Sequence, residues 1–115
     1  MTDHSTAPSL PEPKIIALPT EDGPYLHLFD EANTHQYHSG LVTLKPGESV
    51  GEHSTKEHEE IIVFLSGRGE IATERWPKPR LVTAPAVAYM SPRTLHNVTN
   101  SGTSSLRYIY IVSRI

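Results

Sequence analysis

Beyond residue 24 the chain is a succession of short apolar runs broken by turn residues. Nowhere do apolar positions recur with helical period over a long stretch. The run Ile61-Ile62-Val63-Phe64-Leu65, closed by Gly67-Arg68-Gly69, predicts a buried strand. Residues 106–112 predict another, with Tyr108 and Tyr110 on one face and Ile109 and Ile111 on the other, because successive side chains of a strand point to opposite sides. Residues 25–29, 36–44 and 86–90 predict three more, and Gly40 within the second marks a bulge or a close approach of backbone. Residues 70–76 and 80–83, joined by Pro77-Lys78-Pro79, predict a hairpin with Trp76 packed at its end. Residues 14–18 predict a first strand ahead of the Asp22-Gly23 turn. Roughly eight to ten short strands at such spacing predict an all-β sandwich or barrel.

Length adds one constraint: 115 residues make one domain with a real but modest core. Residues 1–13 are polar and carry Pro8, Pro11 and Pro13, which predicts a flexible N-terminal arm, with residues 14–115 as the single folded domain. A formal net charge of −3 argues against a nucleic-acid partner, which selects basic patches. The absence of cysteine excludes disulfides, thiol nucleophiles and iron–sulfur clusters. No apolar run approaches the length of a membrane span, and the N-terminus lacks the basic start and apolar middle of a signal peptide. The expectation is a soluble cytoplasmic protein with no membrane or nucleic-acid partner.

Candidate chemistry lies in two stretches. In the first, His53, His58, Glu59 and Glu60 stand immediately ahead of the apolar run. If strand pairing begins at His58, then His58, Glu60, Ile62 and Phe64 share one face, and an imidazole and a carboxylate point the same way as core residues. A buried charge without a partner is costly. A divalent ion is one such partner, and imidazole with carboxylate suits Zn, Fe, Mn or Ni. The alternative is a set of solvated loop residues. The second stretch runs from Met90 to Asn100, where Pro92 and Thr94 make a turn and His96 opens a strand that groups His96, Val98 and Asn100. His27, His38, Tyr37, Tyr89, Tyr108 and Tyr110 are further candidates to line a pocket, or ordinary half-buried strand residues.

Together the two stretches resemble the paired motifs of the cupin family. Gly47, His53, Glu60 and Gly67 fall on the first motif, and Pro92, Thr94, His96 and Asn100 on the latter part of the second. The likeness covers roughly residues 40 to 112. Thr55 departs from it by occupying the second histidine of the usual His-x-His, and Ala86 and Thr94 stand where glycines are usual.

The resemblance implies a double-stranded β-helix, or jelly-roll barrel. It implies one divalent metal ion held by His53, Glu60 and His96, with His58 either a fourth ligand or an exposed loop residue. It further implies a small-molecule substrate or ligand and a homodimer, with residues 14–18 as the candidate segment for exchange. Two histidines and a carboxylate leave coordination positions open, which suits an oxygenase first and an isomerase or lyase next. A non-catalytic binding or sensing module is the competing reading.

Overall fold

The structure, a computed structural model, describes residues 10–114. It contains nine strands, β1 (Leu26–Phe29), β2 (Tyr37–Leu44), β3 (His53–Ser54), β4 (His58–Ser66), β5 (Arg68–Thr73), β6 (Arg80–Thr83), β7 (Ala86–Met90), β8 (Leu95–Asn100) and β9 (Leu106–Arg114), and no helix among the described residues. The strands form two antiparallel sheets, one ordered β1-β2-β9-β4-β7 and the other β3-β8-β5-β6. From β2 onward the chain passes repeatedly from one sheet to the other, so the two sheets close over a common core, as the predicted jelly-roll requires.

Register explains which side chains enter that core. Glu60 lies opposite Val112, which lies opposite His38; Ile62, Tyr110 and Gly40 form the next row, and Phe64, Tyr108 and Val42 the row after that. Leu106 and Leu44 close the far end. The interior therefore grades from polar at one end, through two phenols, to wholly apolar at the other. Ile62, Phe64, Val98 and Leu106 are almost completely buried, and burying side chains of this size is worth about 1.5–3 kcal/mol each.

The expected hairpin forms, with β5 and β6 antiparallel and the Arg80 guanidinium over the Trp76 ring at 4.2 Å. Two local expectations are corrected. Residues 14–18 form no strand: Ile15 is 96% exposed, and β1 remains an edge strand of its sheet. A strand needs a ladder partner, and Pro13 and Pro19 remove donors at both ends of the segment. The irregularity expected at Gly40 lies instead on its partner, between His27 and Phe29. Gly40 serves a close approach of a side chain, since a Cβ there would overlap the Tyr25 ring. Of the arm expected over 1–13, residues 1–9 lie outside the described residues, and 10–13 are exposed. Residues 19–22 are tied to the start of β9, where Arg107 donates to the Pro19 carbonyl, and to Ser105 just before it, which donates to Asp22.

Candidate metal centre

Three strands bring the site together. β3 and β8 pair so that His53 lies directly opposite His96, their ring centroids 4.3 Å apart. Glu60 projects from β4 in the facing sheet. One ligand atom each from His53, Glu60 and His96 can lie within 4.8 Å of the others. His96 and Glu60 are buried, while His53 stands at the exposed side. The group opens on a cavity of about 820 Å³.

The hydrogen bonds define the chemistry of the donors. His96 Nδ1–H donates to the Thr94 carbonyl at 3.0 Å, and His53 Nδ1–H donates to the Gly51 carbonyl at 2.8 Å. Each imidazole thus uses one nitrogen on a carbonyl two residues earlier, which leaves Nε2 for the site. A carbonyl on the far nitrogen is the usual device that fixes tautomer and ring orientation in a metal-binding histidine. His96 Nε2 meets Glu60 Oε1 at 2.8 Å. With Nδ1 already protonated, these facing atoms are both acceptors, so a cation must lie between them: a proton or a metal ion. Burial opposes a charge on His96, but the hydrogen bond it donates to Glu60, the Thr94 carbonyl and the Glu60 charge outweigh it, and its pKa is raised above the ordinary imidazole value. Two neutral imidazoles and a carboxylate are a donor set that fits a divalent ion.

The second motif position, Thr55, is buried and does not present a ligand. Its hydroxyl donates to the Ser91 carbonyl at 2.6 Å and accepts the Thr94 amide at 3.0 Å, while its own amide donates to the Thr94 carbonyl at 3.2 Å. That is the carbonyl that orients His96. Thr55 therefore works as part of the frame behind the site.

A family model for the cupin domain matches residues 40–112. The chain belongs to the cupin family. A search of curated proteins finds no match to this cupin. Among solved structures it is similar to the predicted oxalate decarboxylase of Thermotoga maritima, with 25% identity, 79% of each chain covered and a TM-score of 0.72. It is similar in fold to a cupin protein of Bacteroides fragilis, with 20% identity, 88% of this chain and 83% of that one covered and a TM-score of 0.75. The same holds for a cupin-superfamily sugar phosphate isomerase of Silicibacter pomeroyi, with 17% identity, a TM-score of 0.67, and 79% of this cupin and 59% of that chain covered.

Of the four candidate ligands, His53, Glu60 and His96 converge. His58 shares the interior face with Glu60 and lines the cavity, but it stands outside that group, edge-on to His38 with ring centroids 6.5 Å apart. Glu59 points to the other face, as alternation requires, and accepts a hydrogen bond from Tyr89 at 2.9 Å. Asn100 is a structural residue of this cupin, donating to the Leu44 and Ser104 carbonyls. Tyr108 and Tyr110 line the cavity. Tyr37 and Tyr89 are exposed, and His27 and His38 pair with Asp30 and Glu31. Sequence reasoning missed Tyr25, whose hydroxyl meets that of Tyr110 at 2.5 Å inside the cavity lining. Gly40, inside β2, was the one signal that something bulky crosses there. No helix of the described residues is long and apolar enough to cross a membrane.

Proposed function

We propose that this cupin is a metal-dependent enzyme acting on a small polar organic molecule, with His53, Glu60 and His96 as the protein ligands of one divalent ion, Fe, Mn, Zn or Ni. The observation that carries the reading is the matched tethering of the two imidazoles, each with Nδ1–H spent on a backbone carbonyl. That arrangement fixes the proton of the neutral imidazole on Nδ1 and aims Nε2 at the site, as a metal ligand needs. A bound ion supplies Lewis acidity and open positions for an oxygen-bearing substrate, water or dioxygen. The chain's own contribution is to shield those positions within the cavity and to hold the imidazoles through Gly51, Thr55 and Thr94. An oxygenase is the first reaction class and an isomerase or lyase the second; likeness to the predicted oxalate decarboxylase supports chemistry on small oxygen-rich molecules.

A non-catalytic ligand-binding module is the second reading, favoured by the direct His96–Glu60 contact, which is satisfied by a proton alone. Metal analysis of protein purified without an affinity tag separates the two, followed by screening for metal-dependent oxygen uptake. A single divalent ion per chain is expected in wild type and in His58→Ala, and none in His96→Ala, which keeps its β-sheet circular dichroism. Metal retained by folded His96→Ala would sink the ligand assignment. Tight ligand binding with no turnover under any metal would favour the binding module.

A further inference from the structure

The cavity has a second polar wall that the metal centre does not use. Tyr108 and Tyr110 project into it from β9, in the rows of Phe64 and Ile62, while Glu60 lies one row nearer the polar end. Tyr110 shares a hydrogen bond with Tyr25, and the two rings stack with centroids 6.4 Å apart. Tyr108 is different. Its side chain is only 3% exposed, yet its hydroxyl makes no hydrogen bond to another described residue and lies on the cavity wall. A phenol oxygen that opens on a cavity and has no protein partner is a donor available to a ligand atom bound there.

The lining selects the chemistry of that atom. Among the described residues the exposed Lys56 is its only Lys or Arg, so a phosphate or a second carboxylate buried at the phenol end would lack a cation. A neutral oxygen acceptor meets no such cost. The rest of the cavity lining includes Val42, Ile62, Val98 and Val112, which suits a short hydrocarbon stem. We propose that Tyr108 and Tyr110 form the second anchor of the site, donating to the keto or hydroxyl oxygen of a small oxo- or hydroxycarboxylic acid whose carboxylate lies at the His53–Glu60–His96 end. The inference rests on the metal reading for its carboxylate end only; the phenol end stands on the geometry of β9.

The test uses full-length protein and keto acids of increasing length, acetoacetate, levulinate and 5-oxohexanoate, against butyrate, pentanoate and hexanoate. A site built to pair with an oxygen rejects the analogue that lacks it. Calorimetric titration of Mn²⁺ comes first and reads the metal centre by itself. In Mn²⁺-loaded wild type, at least one keto acid is expected to bind about tenfold or more tighter than its alkyl counterpart. Tyr108→Phe, with unchanged Mn²⁺ affinity and thermal stability at least that of wild type, is expected to remove that advantage. In metal-free protein labelled with 3-fluorotyrosine, the same keto acid is expected to shift the ¹⁹F resonances of Tyr108 and Tyr110 and to leave those of Tyr37 and Tyr89 in place. Failure to bind Mn²⁺ with these shifts intact would count against the metal reading alone. Equal binding of keto acid and alkyl acid by wild type, an advantage that survives Tyr108→Phe, or resonances of Tyr108 and Tyr110 that do not move, would overturn the second anchor.

Discussion

Thr55 shows how a departure from a motif can be structural. Its hydroxyl bridges the Thr94 amide and the Ser91 carbonyl, and its amide holds the carbonyl to which His96 donates. Thr55→Val keeps the shape and deletes both hydroxyl bonds, leaving the buried Thr94 amide and the partly buried Ser91 carbonyl unpaired. It is expected to cost about 1–3 kcal/mol in chemical denaturation and, by loosening His96, to weaken metal binding by about 10 to 100-fold. Unchanged metal affinity in the folded variant would mean that the Thr94 carbonyl needs no support. The proton on His96 gives a second prediction at this scale. Its folded pKa lies above the ordinary value, so its contribution to the metal-free protein is full below about pH 6.5 and is lost as pH rises through the folded pKa. The stability of wild type relative to Glu60→Gln, both metal-free, is expected to shrink from pH 5.5 to pH 9 in thermal melts. Metal binding should follow the opposite trend, since the ion displaces that proton. A stability gap that widens with pH would contradict the proton bridge.

Among the elements, the junction of β4 and β5 is the most constrained. Gly67 has φ of 93°, and a Cβ there would run into the Ser105 carbonyl and the Leu106 backbone. Backbone cannot retreat as a flexible side chain can, so Gly67→Ala combines left-handed strain with a clash. A loss of about 2 kcal/mol or more is expected in urea unfolding; a loss below about 0.5 kcal/mol would show that the β9 start moves freely. Gly40 is the contrasting case. A Cβ there meets the ring of half-exposed Tyr25, which can swing away.

At the scale of the whole molecule, the sheet β1-β2-β9-β4-β7 is apolar on both faces. On its outer side Tyr89 lies beside Ile61 and Ile111, and Val87 beside Val63 and Ile109. Val87 is 69% exposed and Tyr89 55%, both on β7, whose outer edge is unpaired. An antiparallel edge meets a second copy of itself about a two-fold axis, which gives a self-complementary interface without any exchange of residues 14–18. A homodimer is expected by light scattering at micromolar concentration, and Val87→Lys, which places a charge on that edge, is expected to return it to monomer. A monomeric wild type would rule out this mode of association.

Strand identity was legible because a β-strand writes its two faces into alternate positions: the run after Glu60 and the alternation from Leu106 fall on β4 and β9. The same period put Glu60 inward and Glu59 outward. Residues 14–18 show the limit of that signal, since apolar residues can occupy an extended segment that finds no partner strand. The grouping of His53, Glu60 and His96 came from a resemblance spanning both stretches; no local pattern places residues of β3, β4 and β8 around one point. Only the packed sheets decided that His58 stands beside His38, that Thr55 frames His96, and that Tyr25 reaches Tyr110 through the space left by Gly40. Each of these depends on register and on the distance between strands far apart in the chain, and side-chain alternation along one strand carries no information about either.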